Sequence, residues 1–146
     1  LAEKMQERGI RPELEIFDIG MMNFAHYLIS KGYLEPPYLF NVLLGNPFTS
    51  QADPLHLGAI LSEMPEGALW AVGGIGRQQS KAVVLGLASH GGVRIGLEDN
   101  IWLDRERTTL ATNADLVQRC VDVASALERR PMSPGQVRDA LSLARQ

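Results

Sequence analysis

The chain has 146 residues, of which 45% are hydrophobic and 21% are charged, and its formal net charge is -3 at pH 7. This is the composition of one globular domain, and the charge excludes a strong electrostatic attraction to nucleic acid or anionic lipid. No apolar run approaches the roughly 20 residues that span a bilayer. The single cysteine, Cys120, excludes an internal disulfide and agrees with a reducing compartment, so we expect a cytoplasmic location.

The first half of the chain alternates between helical and strand patterns. A helix ends near Arg8, with Gly9 and Pro12 behind it as stop signals. A strand at 14–18, a helix at 21–31 and a buried strand at 38–44 follow. Asp53-Pro54 then has the pattern of an N-cap and first helical residue, which predicts a helix from there to about Met64.

The second half continues the alternation. It predicts a strand at 69–73, a helix at 79–89, a strand at 93–98 and an irregular loop to Thr112. Asn113 is the expected cap of a long helix at 115–129. A last short helix begins at Ser133-Pro134 and runs to about Ala144.

Strands that alternate with helices at this spacing predict an α/β fold with a parallel sheet and right-handed crossovers. Four such units form either a small open sheet or half of a (β/α)8 TIM barrel, which typically needs about 250 residues. The chain opens at Leu1 in what has the pattern of the body of a helix. We therefore expect residues 1–146 to be the C-terminal half of a barrel, its last four strand–helix units.

The stretch 91–100 carries the strongest functional signal. Period-two alternation places Val93, Ile95 and Leu97 on the helix side of a strand, and Arg94 and Glu98 on the other side. We expect Gly96 to leave room above the sheet. Buried Arg and Glu side chains must be paired or metal-bound. The stretch is therefore either an internal Arg94–Glu98 ion pair or a catalytic or metal site, with Asp99 at the end of the strand.

Two further stretches contain candidate functional residues. Glu15 and Glu13 share one face of the first strand, and Glu15 lies nearer its carboxyl end. Gly73-Gly74-Ile75-Gly76-Arg77 follows a strand and precedes a helix, where the N–H groups of Gly74 and Gly76 can bind an anion with Arg77 as a charged partner. The spacing matches neither a dinucleotide fingerprint nor a P-loop, and a tight structural turn explains it equally well.

The remaining candidates have simpler interpretations. His26, His56 and His90 form no His-x-His or His-Glu-x-x-His pair, so we interpret them as surface or packing residues. Cys120 lies on the apolar side of its helix and is interpreted as a core residue. Glu98 is then a lone carboxylate, which cannot hold a metal by itself.

Three motifs resemble the β-keto acid cleavage enzymes, of the 3-keto-5-aminohexanoate cleavage type. They are Arg-Pro-Glu-Leu-Glu-Ile-Phe-Asp at 11–18, Gly-Gly-Ile-Gly-Arg-Gln at 73–78 and Val-Arg-Ile-Gly-Leu-Glu-Asp-Asn at 93–100. The resemblance covers nearly the whole chain. It implies a zinc-dependent, usually oligomeric (β/α)8 barrel that condenses a β-keto acid with acetyl-CoA and releases acetoacetate and a new acyl-CoA.

The resemblance also implies roles for individual residues. Glu98 would be the carboxylate ligand of Zn²⁺. Arg94 would hold Asp99 ionised, and the two would help to deprotonate the substrate through a water molecule. Glu15, or less well Glu13, would be the strand-borne active-site glutamate, and the turn at 73–77 would face CoA or the substrate.

One departure from the family pattern matters for function. The His-x-His that completes the zinc site of the family is absent from this sequence. We therefore expect the remaining zinc ligands to come from outside this chain, and negligible activity without the N-terminal half. We expect either a homo-oligomer or a partner chain that supplies the N-terminal half-barrel. The alternative is a non-catalytic half-barrel that binds a ligand or serves in assembly.

Overall fold

The computed structural model describes residues 1–143. Its helices are α1 (Ala2–Glu7), α2 (Ile19–Ser30), α3 (Pro54–Ser62), α4 (Gln79–Ala88), α5 (Asn113–Ala126) and α6 (Pro134–Ala140). Its strands are β1 (Glu13–Ile16), β2 (Leu39–Leu44), β3 (Leu69–Gly74) and β4 (Gly92–Val93). A short 3-10 helix, Gly76–Gln78, connects β3 to α4.

The strands form a four-stranded parallel sheet in the order β1-β2-β3-β4. Each strand lies beside the next one along the chain, with a helix in each connection, as the alternating pattern predicted. The α/β class is therefore confirmed. The sheet is compatible with part of a TIM barrel, whereas its completion into a barrel by another four strands stays a prediction.

Helices α2, α3 and α4 cover one face of the sheet. Phe40, Val42 and Leu44 on β2 are fully buried in a core cluster that also contains Met22 of α2 and Leu57 of α3. These three β2 residues alternate with Asn41 and Leu43, which face the opposite side. The apolar face thus anchors the helices and leaves the other face available for polar side chains.

A second core cluster joins α4 to α5. Cys120 and Ala124 of α5 pack with Val83 and Leu87 of α4, and Val93 and Ile95 pack against them. The interpretation of Cys120 as a core residue is confirmed, and burial raises the pKa of its thiol. The predicted facing of Val93 and Ile95 toward the helices is also confirmed.

Side-chain hydrogen bonds cap the first turns of α3 and α5, and one of the two predicted caps is wrong. Asp53 accepts a hydrogen bond from the His56 N–H at 2.9 Å and caps α3, as predicted. The cap of α5 is Thr112, not Asn113, because Thr112 and Asp115 form a reciprocal capping box. Asn113 is left to accept a hydrogen bond from the Leu97 N–H at 3.0 Å.

The strand predicted at 93–98 is wrong beyond Val93, because β4 is Gly92–Val93. The Arg94 N–H still donates to the Val72 carbonyl at 2.9 Å, but residues 96–99 form a turn in which the Asp99 N–H donates to the Gly96 carbonyl. The Gly96 carbonyl also accepts a bond from the buried side chain of Gln79 at 2.9 Å. These contacts satisfy backbone groups that a longer strand would have paired in the sheet.

The predicted end of the last helix near Ala144 falls outside residues 1–143, and α6 itself ends at Ala140. Within residues 1–143, every helix is too short or too polar to cross a lipid bilayer. The cytoplasmic location stays a prediction.

Candidate active site

Arg94 is the centre of a cluster of three carboxylates. Its Nη1 lies 2.7 Å from Glu15 Oε1, its Nη2 lies 3.1 Å from Glu98 Oε2, and its Nε lies 3.2 Å from Asp99 Oδ2. The expected Arg94–Glu98 ion pair is therefore present, but as one contact of a larger site. The planar guanidinium, with five donors, suits this multiple pairing.

The cluster spans the whole width of the sheet. Glu15 is on β1 at one edge, and Arg94 follows β4 at the other, so β2 and β3 lie between their backbones. Register pairs Glu15 with Asn41, which lies on the face opposite the helix core. The long arginine side chain thus joins two edges that no backbone hydrogen bond connects.

Gly73 makes the path of Arg94 possible. A Cβ atom at Gly73 would lie 2.9 Å from Leu43 Cδ1 and 3.3 Å from Arg94 Cβ, both closer than ordinary packing allows. The expectation that Gly96 provides the gap is wrong. A Cβ at Gly96 would meet only the Asn113 side chain, at 3.4 Å, because Gly96 lies in the turn beyond the strand.

Exposure varies widely across the cluster. The Asp99 side chain is 4% exposed and that of Arg94 is 24% exposed, whereas Glu15 is 44% and Glu98 84% exposed. Asp99 is the inner carboxylate, and Glu98 points to solvent. Arg94 thus contacts a buried carboxylate, Asp99, and a solvent-exposed carboxylate, Glu98.

Burial and charge oppose each other at Asp99. Burial raises the pKa of Asp99, the neighbouring Glu98 and Glu15 add to the increase, and Arg94 opposes it without cancelling it. Arg94 therefore favours the ionised form of Asp99, in the direction that the resemblance implies, but it does not offset burial and the two glutamates. Burial lowers the pKa of Arg94, but Asp99 and the other carboxylates outweigh burial and raise this pKa. Arg94 therefore stays cationic.

The structure distinguishes the two candidate glutamates of β1. Glu15 contacts Arg94, whereas Glu13, two residues earlier, is exposed and forms no ion pair within residues 1–143. Glu15 lies nearer the carboxyl end of β1 than Glu13, and this position brings it within reach of Arg94. This is the position that the resemblance favoured.

The turn at 73–77 is built differently from the expected anion site. Gly74 pairs with Leu44 in the sheet, and a Cβ there would lie 2.8 Å from Ala82 Cβ, so this glycine permits close packing of α4. Gly76 has a positive φ of 55°, and its N–H donates to the Asp99 carbonyl at 2.7 Å. The Gly76 N–H is thus engaged, and the exposed Arg77 is the part of the turn that is available to a ligand.

The histidines have contacts of their own. His56 Nδ1 lies 2.8 Å from Asp53 Oδ2, and His26 Nε2 lies 2.7 Å from the Glu63 carbonyl oxygen. His90 is exposed and has a positive φ of 63°. Across residues 1–143, no group of three or more His, Cys, Asp or Glu side chains is arranged to hold a metal ion.

Sequence patterns did not single out two buried polar residues beside the cluster. Gln79 is fully buried and connects the start of α4 to the Gly96 carbonyl. Asn41 is 4% exposed, and its Oδ1 accepts no hydrogen bond within the described part of the chain. The only signal for Asn41 was its polarity within the apolar run 38–44.

The chain is similar in sequence to a family of known enzymes. Residues 1–143 match the family described as beta-keto acid cleavage enzyme. A 3-keto-5-aminohexanoate cleavage enzyme of Fusobacterium nucleatum is 37% identical over 138 residues, which cover 94% of this chain and 49% of the relative.

Two further relatives carry the names of acetyl-CoA-dependent transferases. A 3-dehydrocarnitine:acetyl-CoA trimethylamine transferase of Rhizobium meliloti is 33% identical over 98% of this chain and 47% of its own length. A 3-oxoadipate:acetyl-CoA acetyltransferase of Cupriavidus necator is 30% identical over 98% of this chain and 51% of its own. The chain spans about half the length of the curated relatives it matches, and it belongs to the β-keto acid cleavage enzyme family.

Proposed function

We propose that this chain carries the proton-transfer half of an acetyl-CoA-dependent β-keto acid cleavage site. The reaction transfers the carboxymethyl part of a β-keto acid to the acetyl group of acetyl-CoA. It releases acetoacetate, and the remaining acyl group leaves as a new CoA thioester. The relatives' names support this class, because the substrates that they print are 3-keto acids and their co-substrate is acetyl-CoA.

The observation that carries the proposal is the Arg94 cluster with its buried carboxylate. The ionised Asp99 accepts a proton, through a water molecule, from the carbon between the keto and carboxylate groups of the substrate, and the electron pair stays on the substrate as an enolate. Arg94 fixes the orientation of Asp99 through contacts at 3.2 and 3.4 Å. Glu15 holds the other side of the guanidinium.

Zinc does not fit the described residues by themselves. Glu98 offers one carboxylate, which pairs with Arg94, and residues 1–143 contain no cluster of metal-ligating side chains. A zinc site needs about three protein ligands. We therefore assign Glu98 at most one place in a site whose other ligands lie outside residues 1–143.

The alternative is a non-catalytic half-barrel that binds a ligand or serves in assembly. The lone carboxylate favours it, because a metal-assisted enzyme needs more ligands than this segment supplies. The two functions differ in one observable. Only the enzyme converts acetyl-CoA and a β-keto acid into acetoacetate.

The test uses the full-length protein with acetyl-CoA and a panel of 3-keto acids, with acetoacetate and acyl-CoA measured by mass spectrometry. Glu15→Gln should lower kcat by about tenfold or more, because it removes a charge that positions Arg94. Glu13→Gln is the matched control on the same strand and should retain wild-type turnover. Absence of acetoacetate with every substrate would support the non-catalytic alternative, and equal losses in both variants would remove Glu15 from the site.

A further inference from the structure

A cationic cleft lies beside the Arg94 cluster. It encloses about 600 Å³ between the start of α4 and the loop that follows residue 99. Gly76 and Asn100 line it, and the backbone of these residues flanks Asp99. The Gly76 N–H donates to the Asp99 carbonyl at 2.7 Å, and Asn100 is the next residue along the chain. The cleft and the proposed catalytic cluster are therefore adjacent.

Four positively charged side chains line the cleft. Arg77 and Lys81 come from the turn before α4 and its first turn, and Arg105 and Arg107 come from the loop. All four are exposed, and none forms an ion pair with another side chain within residues 1–143. Such a convergence of unpaired cations produces a positive potential that favours an anionic ligand.

The acidic residue of the cleft, Asp104, is already engaged. Its carboxylate accepts hydrogen bonds from the Thr108 N–H at 3.0 Å and from the Thr109 N–H. These bonds lower the pKa of Asp104 to about 2, so it is ionised and committed to the loop backbone. The four cationic side chains of the cleft therefore outnumber its one acidic side chain.

The loop is held in place by Arg119, a residue that does not itself line the cleft. Arg119 of α5 donates to the Ser80 hydroxyl at 3.0 Å and to the Leu103 carbonyl. A Cβ at Gly76 would lie 3.3 Å from Arg107 Nη2, so this glycine gives the guanidinium room over the turn. The cations are thus brought together by the fold before any ligand binds.

An aromatic ring completes the cleft. Trp102 lines it, and Asn100 fixes the Trp102 backbone by donating to its carbonyl at 2.7 Å and accepting from its N–H at 3.2 Å. Aromatic rings stack on nucleobases, and arginine and lysine bind phosphate groups. A ring beside four cations suits a phosphorylated nucleotide better than an isolated phosphate.

We propose that this cleft binds the phosphorylated nucleotide end of the acyl-CoA co-substrate, with its phosphates on Arg77, Lys81, Arg105 and Arg107 and its adenine on Trp102. The identity of the ligand as CoA rests on the proposed function. The binding of a nucleotide with several phosphates rests on the cleft alone.

The test measures binding by calorimetry on the full-length protein, with adenosine 3′,5′-bisphosphate and inorganic pyrophosphate as probes. The double variant Lys81→Glu/Arg105→Glu should raise the Kd for the bisphosphate by about tenfold or more, because it replaces two attractive charges with repulsive ones. The matched control is Arg8→Glu/Arg130→Glu, which reverses two exposed arginines that do not line the cleft. It should bind like the wild type.

A second variant separates the base from the phosphates. Trp102→Leu should weaken binding of the bisphosphate several-fold and leave the affinity for pyrophosphate unchanged. In the cleavage assay, the double charge reversal should raise the KM for acetyl-CoA with little change in kcat. Bisphosphate binding that is unchanged in the double variant would overturn the proposal, and so would equal binding of pyrophosphate and bisphosphate to the wild type.

These outcomes are independent of the cleavage reaction. Bisphosphate binding that the charge reversal abolishes supports the cleft even in a protein without cleavage activity, in which case the proposed function fails alone. A protein that cleaves β-keto acids but binds the bisphosphate equally well in all variants overturns the cleft alone.

Discussion

At the scale of single residues, Gly73 determines whether Arg94 can reach across the sheet. The side chain of Arg94 begins beside Gly73 on its way to Glu15. A methyl group at residue 73 would lie 3.3 Å from Arg94 Cβ and 2.9 Å from Leu43 Cδ1, so these side chains would have to shift. We expect Gly73→Ala to lower turnover about tenfold or more and to destabilise the fold by about 1–3 kcal/mol through overpacking. Cleavage assays and urea unfolding of the full-length protein measure both effects.

Gly58→Ala is the control for that substitution. Gly58 lies on the exposed side of α3, and a Cβ there would meet nothing within 4 Å. This variant should retain full activity and gain up to about 1 kcal/mol from helix propensity. A Gly73→Ala protein with wild-type turnover would show that the position of Arg94 does not depend on the glycine.

The sequence predicted the charged members of the cluster and the Arg94–Glu98 pair, but not the contact between Arg94 and Glu15. Period-two alternation placed Arg94 on the face opposite the helices, and the same pattern placed Glu15 there on β1. The contact between them is tertiary, because it depends on the strand order and on the missing side chain at Gly73. The alternation of strands and helices predicted the strand order. No local signal distinguished Gly73 from Gly96, so the gap was assigned to Gly96 instead.

At the scale of elements, the short β4 shows where alternation is insufficient. Residues 93–98 have the period of a strand, but the Gln79 side chain, the Asn113 side chain and the Gly76 N–H bond to the backbone at residues 96, 97 and 99. These partners come from three different elements. The alternation within residues 93–98 carries no information about these partners, so the predicted strand was too long.

The loop after β4 depends on one ionised residue. Hydrogen bonds from the Thr108 and Thr109 backbone lower the pKa of Asp104 from its ordinary value of 3.8 to about 2. Asp104 therefore stabilises the folded state above its ordinary pKa, and this contribution is lost as the pH falls toward about 2. Asp104→Asn should lower the melting temperature near neutral pH and reduce its dependence on pH between about pH 5 and about pH 2.

Glu66→Gln provides the comparison for Asp104→Asn. Glu66 is an exposed carboxylate in the loop before β3 and makes no hydrogen bond within the described residues. Its variant should melt like the wild type at each pH. If both variants lose the same stability, the loop is not held by the Asp104 carboxylate.

At the scale of the whole molecule, the sheet has two open edges. Within residues 1–143, β1 and β4 each pair with one strand only. Open edges favour association with further strands. We therefore expect residues 1–146, expressed alone, to form oligomers or to associate with a protein that supplies the other strands. A well-behaved monomer at micromolar concentration by light scattering would contradict this.

We expect zinc binding to require the rest of the protein as well. Residues 1–146 alone should bind little zinc by elemental analysis, because a single carboxylate gives low affinity. In the full-length protein, Glu98→Gln should lower the zinc content if Glu98 is a ligand. Tight stoichiometric zinc in the isolated segment would contradict the assignment of the other ligands to the rest of the protein.

The most direct measurement follows the proton that Asp99 is proposed to accept. In D2O, without acetyl-CoA, the full-length protein should speed exchange of the protons between the keto and carboxylate groups of a β-keto acid that it cleaves, as seen by proton NMR. Asp99→Asn should reduce this catalysed exchange by about 10²-fold or more, with unchanged zinc content and circular dichroism. Exchange at the wild-type rate in Asp99→Asn would show that the Arg94 cluster does not perform the proton transfer.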